Sequence, residues 1–146
     1  MSLKSINPTQ TNSWIKLQEH YQKMKHNSIK ELFENDKNRA QKFHIEWDQF
    51  IVDYSKNNIT QETVDLLLQL ADEVDLKDAI NKQFSGEAIN KTENRAVLHT
   101  ALRMPQDSQV LVENKNVIPE IFEVKNKIKQ FSNQVISGEI KGFTGK

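Results

Sequence analysis

The apolar pattern of this chain points to a mainly α-helical fold with a few short β-strands. Three observations carry that expectation. Apolar residues recur in steps of three and four over long stretches, most regularly at Val117, Ile121, Val124, Ile128, Phe131 and Val135. Helix-start residues precede such runs, and Ser28-Ile29-Lys30-Glu31 has the form of a capping box. Strand signals are confined to two short stretches, residues 43–54 and 110–112.

Residues 9–25 predict an amphipathic helix with Trp14, Leu17, Tyr21 and Met24 at helical spacing. Ser28 opens a short helix carrying Leu32 and Phe33, and residues 37–42 add a further turn, so residues 1–42 read as a helical arm. Phe43, Ile45 and Trp47 alternate with polar residues, Asp48-Gln49 turns the chain, and Phe50-Ile51-Val52-Asp53-Tyr54 returns. Residues 43–54 are therefore expected to form a β-hairpin. Thr60 is placed to cap a helix through Val74 that gathers Val64, Leu67, Leu68 and Ala71 on one face. Asp75 is placed to cap Leu76–Phe84. Thr92 is placed to cap a third helix over 93–103, with Glu93 and Arg103 at the ends that suit the helix dipole, and Pro105 stops it. Val110-Leu111-Val112 is a short strand, and the last helix runs from about Val117 to Ser137, ended by Gly138. Residues 60–138 thus read as helices with one short strand, and 139–146 as a tail with no element of its own.

A chain of 146 residues is one domain's worth. Only 36% of it is apolar and its mean hydropathy is −0.70, which suits either a small, very polar domain or a segment that wraps a larger body. Twenty basic and 20 acidic residues balance, so the electrostatic footprint of a nucleic-acid binder is absent. No apolar run is long enough to span a bilayer, and Met1-Ser2-Leu3-Lys4 leads into no signal-like apolar segment. The expectation is a cytoplasmic protein without nucleic-acid or membrane partners. The lack of cysteine excludes disulfides and thiolate chemistry. His20, His26, His44 and His99 show no metal-ligand spacing, so no metal is expected. No glycine-rich phosphate loop is present, and Gly142-Phe143-Thr144-Gly145-Lys146 reads more simply as tail.

Glu93, Arg95 and His99 are the candidate site residues. On the expected helix Arg95 and His99 lie four apart on one face, where an arginine and a histidine could orient a phosphate or carboxylate. The simpler reading is structural, with Arg95 paired to a buried carboxylate and His99 filling a polar pocket, because one helix rarely supplies a site alone. Trp14, Trp47 and Tyr54 are expected in the core. Lys125, Lys127 and Lys129 are expected on the solvated side of the last helix.

The run Gly86-Glu87-Ala88-Ile89-Asn90-Lys91-Thr92-Glu93-Asn94-Arg95-Ala96-Val97-Leu98-His99-Thr100-Ala101-Leu102-Arg103 resembles a segment of the glucose-6-phosphate isomerase (phosphoglucose isomerase) family. Flanking pieces agree in order and spacing: Ile51 to Asn57, Val117-Ile118-Pro119-Glu120, Ser137-Gly138-Glu139, and Lys141 to Lys146. The chain departs from the family pattern at Asn94, where glycine is usual, and at Met104-Pro105-Gln106-Asp107. It also departs at Glu113-Asn114-Lys115-Asn116, where Asp-Gly-Lys-Asp is common, and at Ile140, where tryptophan is usual.

The resemblance implies the N-terminal helical section of a sugar-isomerase-type α/β sandwich enzyme, incomplete in these 146 residues. It implies the glycolytic and gluconeogenic interconversion of glucose 6-phosphate and fructose 6-phosphate, in a homodimer that needs no metal or redox cofactor. Ring opening by an acid–base pair precedes proton transfer between C1 and C2 by a glutamate, with an arginine stabilising the enediol. The family's catalytic and substrate-binding residues match no position here, so none is carried over. Glu93, Arg95 and His99 are then structural or support the site from behind. The sugar phosphate is expected to bind only the complete enzyme, and this chain alone to be inactive. The alternative is a stand-alone, non-catalytic helical module that binds a protein partner.

Overall fold

The computed structural model describes residues 3–145. About half of the chain is helical, with two small antiparallel sheets, and it divides into compact units at Leu76/Lys77.

The N-terminal unit, Lys4–Leu76, contains α1 (Asn12–Met24), α2 (Ile29–Asn35), α3 (Arg39–Lys42), β1 (His44–Trp47), β2 (Phe50–Asp53) and α4 (Gln61–Glu73). Thr11 caps α1, its hydroxyl accepting from the Trp14 N–H at 3.2 Å. The face of α1 turned inward carries Ser13, Leu17, His20 and Met24. The expected face is therefore corrected by one residue, because Tyr21 is exposed and Trp14 only half-buried. The reason lies in what the polar residues meet. Glu73, at the end of α4, accepts from the Ser13 N–H at 3.2 Å and the Ser13 hydroxyl at 3.0 Å, capping α1 from 60 residues away. His20 Nε2 lies 2.7 Å from Thr63 Oγ1, and that same oxygen accepts from the Thr60 N–H at 2.9 Å. Glu62 Oε2 is 3.3 Å from His20 Nδ1 but off the line of a ring hydrogen bond. The buried face of α4 is likewise centred on Leu66, while Leu67 and Leu68 are exposed.

The capping box of α2 forms as expected: the Glu31 N–H donates to Ser28 Oγ, and the Ser28 N–H donates to Glu31 Oε2 at 2.9 Å. Arg39 on α3 is 2% exposed. Its Nε donates to the Ser55 carbonyl at 2.7 Å, and Nη2 to the carbonyls of Asn57 and Ile59 at 2.8 and 2.9 Å. The guanidinium carbon stands 4.5 Å from the Phe43 ring centre and 5.7 Å from that of Phe33. Arg39 thus fastens the connection between β2 and α4. The hairpin pairs His44 with Asp53 through Trp47 with Phe50, turning at Asp48-Gln49 with Asp48 at φ +51°. Tyr54 packs edge-on against Phe43, but Trp47 is exposed and is not the core residue expected.

Asp75 does not cap the next helix as an N-cap would. It sits at φ +60°, outside the extended region such caps adopt, and its carboxylate pairs with Lys4 at 2.6 Å.

The C-terminal unit, built on Lys77–Lys146, holds α5 (Leu76–Ser85), β3 (Leu111–Val112), β4 (Lys115–Asn116) and α6 (Ile118–Ile136). The single strand expected here is a two-stranded hairpin. Glu113 and Asn114 both take positive φ, +51° and +65°, which folds Lys115-Asn116 back onto Leu111-Val112. Asn116 Oδ1 accepts from the N–H groups of Val110 and Ile118, joining the strand to the start of α6. Ala101, Val110 and Ile118 form the core, with Leu98, Val117 and Phe122 packed around it. Pro119 lies in the first turn of α6 and Gly138, at φ +77°, follows its end. Val124, Ile128, Phe131 and Val135 leave α6 with an exposed apolar stripe.

Arg39→Met should cost about 2 kcal/mol or more, because the buried Ser55 carbonyl loses its donor, at about 1–3 kcal/mol, and the half-buried Ile59 carbonyl loses the same partner. Arg39→Lys should not restore the loss, since one ammonium cannot replace a planar fork. Urea denaturation of the whole chain measures both, and a loss below about 1 kcal/mol for Arg39→Met contradicts this role.

Partial desolvation alone would raise the Glu73 carboxyl, but hydrogen bonds from the Ser13 backbone and hydroxyl outweigh it and hold the group below its ordinary 4.5. A depressed folded pKa adds stability above the unfolded value, and that stability is lost as pH falls through the folded one. Glu73→Gln should therefore melt lower at neutral pH and lose less on acidification than wild type. Thermal midpoints between about pH 3 and pH 7 test it, and parallel curves contradict it.

Candidate functional site

The expected helix over 93–103 is replaced by a turn and a loop. The Asn90 N–H donates to the Arg95 carbonyl at 3.1 Å and the Arg95 N–H to the Asn90 carbonyl at 3.2 Å, closing a tight loop around Lys91-Thr92-Glu93-Asn94. The Asn90 side chain organises its interior. Its Oδ1 accepts from the Thr92 hydroxyl at 2.8 Å and the Glu93 N–H at 3.2 Å, and its amide donates to Glu93 Oε2 at 2.9 Å. Thr92 is thus spent on Asn90 and caps no helix. Asn94 then takes φ +49°, which no continuing right-handed helix allows. A single 3-10 turn at Ala101–Arg103 is the helical remnant.

This rearrangement changes the setting of all three candidate residues. Arg95 Nε donates to Glu93 Oε2 at 2.5 Å, with the side chains 69% and 54% exposed. The partner of Arg95 is therefore a surface carboxylate, not the buried one expected. His99 is also exposed, and its carbonyl accepts from Arg103 Nη1 at 3.2 Å. Without the helix, the one-turn relation between Arg95 and His99 is gone. The residues instead edge two open clefts. One of about 400 Å³ is lined by Asn90, Arg95, Leu98, His99, Leu102 and Ile121. One of about 360 Å³ is lined by Gly86, Glu87, Asn94, Arg95, Leu111 and Asn114. Arg95 borders both.

Gly86 starts this loop at φ +84°, and a Cβ there would lie 2.7 Å from the Leu111 carbonyl oxygen and 3.2 Å from Val110 Cγ1. Only glycine combines that conformation with that approach to β3. Gly86, Asn90 and Asn116 are the residues that sequence reasoning left out. The usable signal was their type, because glycine and asparagine are the residues that accept left-handed backbone or hydrogen-bond their own chain.

The Glu93 carboxylate is engaged by Asn90 and Arg95 on the same oxygen. Among the described residues no group of three or more histidine, cysteine or acidic side chains is placed to hold a metal, and no helix is long and apolar enough to cross a membrane.

Residues 53–146, which include this loop, match the family model described as "Phosphoglucose isomerase". The chain is also 58% identical over 144 residues to a glucose-6-phosphate isomerase of Christiangramia forsetii, an alignment that covers 99% of this chain and 26% of the relative. The chain therefore spans about a quarter of the length of that curated relative.

Asn94 holds a left-handed conformation that suits glycine or asparagine, in keeping with the glycine that the resemblance implies there. Asn94→Gly should change stability by less than about 0.5 kcal/mol, whereas Asn94→Val should cost about 1–2 kcal/mol. Arg95→Ala, which removes only an exposed ion pair, should cost less than about 1 kcal/mol. Chemical denaturation of the three variants checks the set. Equal costs for Asn94→Gly and Asn94→Val, or a large cost for Arg95→Ala, contradict it.

Proposed function

This chain belongs to the phosphoglucose isomerase family, and we propose that it supplies the N-terminal part of a glucose-6-phosphate isomerase, the enzyme that interconverts glucose 6-phosphate and fructose 6-phosphate. The observation that carries this reading is identity to a named isomerase along 99% of the chain. The stand-alone interaction module is not favoured, because that identity runs through both units rather than stopping at one.

On this reading the complete enzyme is a cytoplasmic homodimer with a sugar-isomerase α/β sandwich, and the sugar phosphate is its substrate. Aldose–ketose transfer needs a base in reach of the substrate's C–H and an anchor that fixes the phosphate. We read the Glu93, Arg95 and His99 loop as meeting neither requirement, because the Glu93 carboxylate is tied to Asn90 and Arg95. Their role is to shape the surface between Gly86 and Arg103. The Asn90–Arg95 closure fixes that loop, Gly86 lets it meet β3, and Asn94 turns it away from a helix. Proton transfer then falls to groups supplied by the rest of such an enzyme.

A coupled assay converting fructose 6-phosphate to glucose 6-phosphate tests the proposal. The 146-residue chain alone should give no turnover. Mixed with the part of the Christiangramia forsetii isomerase that it does not cover, it should give turnover dependent on both polypeptides. Turnover by the repurified chain alone, from a host lacking its own isomerase, contradicts this division of roles. Failure of every mixture contradicts membership of the working enzyme.

A further inference from the structure

His20, Thr63 and Glu62 form a cluster in the N-terminal unit that the isomerase reading does not use. The His20 side chain is 6% exposed, and its Nε2 lies 2.7 Å from Thr63 Oγ1. That oxygen already accepts from the Thr60 N–H at 2.9 Å, which leaves its own proton to be placed. Thr60 Oγ1 is 3.3 Å away, and His20 Nε2 is nearer. Across the ring, Nδ1 has no hydrogen-bond partner among the described residues and lies 3.3 Å from Glu62 Oε2. A bare Nδ1 lone pair beside a carboxylate oxygen is repulsive. The ring proton therefore belongs on Nδ1, and the Thr63 hydroxyl donates to Nε2. Carboxylate, imidazole and hydroxyl then follow one another in the order that activates a hydroxyl for attack. Glu62 is 60% exposed, which leaves its carboxylate free to swing onto the line of the Nδ1–H bond.

A cavity of about 280 Å³ opens beside this cluster, lined by Thr63 and His20 together with Leu17, Tyr21, Met24, Asn58 and Lys25. Sites for drug-sized ligands run from roughly 300 to 1,000 Å³, so this smaller, partly apolar space suits a short acyl chain. We propose that Thr63 is an acceptor site for acyl groups from small activated esters and thioesters. His20 Nε2 takes the hydroxyl proton as Thr63 Oγ1 bonds to the acyl carbon. The ester C–O or thioester C–S bond breaks, and His20 returns the proton to the departing alkoxide or thiolate. The products are an acyl ester of Thr63 and a free alcohol or thiol, and no oxidant or reductant is consumed. Glu62 is a positioning residue, which holds the ring proton on Nδ1 and balances the imidazolium formed in passing. This site is independent of the isomerase reading.

The test incubates the whole chain with p-nitrophenyl acetate, then digests it and maps the acetyl groups by mass spectrometry. Activation predicts an acetyl group on Thr63 that hydroxylamine removes, as it removes an ester. It should form at least about ten-fold faster in wild type than in Glu62→Gln. Glu62→Asp, which keeps the carboxylate, should recover part of that rate. Thr63→Ser should keep the acceptor and Thr63→Val should lose it. Glu62 is a surface position, and circular dichroism checks that Glu62→Gln folds as wild type does. If it unfolds, wild type decides alone: Thr63 must then outpace every other serine and threonine of the folded chain at least about ten-fold. Acetyl groups confined to Lys25 and other lysines, as hydroxylamine-stable amides, overturn the assignment. Acetyl-Thr63 that forms equally fast in wild type and in folded Glu62→Gln overturns it too.

Discussion

The guanidinium of Arg39 is the interaction on which the N-terminal unit depends. It sits between two phenylalanine rings and gathers the carbonyls of Ser55, Asn57 and Ile59, so the chain leaving the hairpin is held at the point where α4 begins. A buried charge is costly unless its donors are used, and here they are used on three backbone carbonyls, of which Asn57 also accepts from the Ile59 N–H. The same principle recurs at longer range. Glu73 caps α1, His20 meets Thr63, and Asn116 joins Val110 to Ile118. In this unit Phe43 and Leu66 are the buried apolar side chains among the described residues, so polar side chains reaching distant backbone do much of what a larger apolar core does elsewhere.

This explains which features were readable from the sequence. Local signals survived: the Ser28–Glu31 box, the 43–54 hairpin, the Gly138 end of α6, and the positions of most helices all depend on neighbours within a few residues. Helix faces survived only in part, with Leu17, Met24, Val64 and Ala71 half-buried as expected. Apolar periodicity chose Trp14 and Tyr21 on α1 and Leu67 and Leu68 on α4, but the buried faces carry Ser13, His20, Thr63 and Leu66. A method that looks for apolar stripes passes over a polar residue whose partner is 43 or 60 residues away.

The candidate loop failed for a different reason. Thr92, Glu93 and Arg103 are good helix-terminal residues, and a helix over 93–103 was a sound local inference. Asn90 outcompeted it by capturing Thr92 and Glu93, and Asn94 then broke the right-handed path. The resemblance located the segment that matters without giving its conformation. Of the positions at which the resemblance marks a departure, Asn94 and Glu113-Asn114 turn left-handed, whereas Met104-Pro105-Gln106-Asp107 and Ile140 do not. Asparagine replaces glycine there at small cost, while glutamate at 113 carries more strain.

The central claim is that buried polar side chains, Arg39 above all, hold this fold together. Nitrogen-15 NMR of the Arg39 side chain tests it most directly. A guanidinium donating to enclosed carbonyls should show an Nε–H signal that exchanges with solvent at least a hundred-fold more slowly than exposed arginines such as Arg95. Its correlation should run through the hydrogen bond to the Ser55 carbonyl. An Arg39 signal that exchanges as fast as that of Arg95, in a chain otherwise folded, would contradict the account.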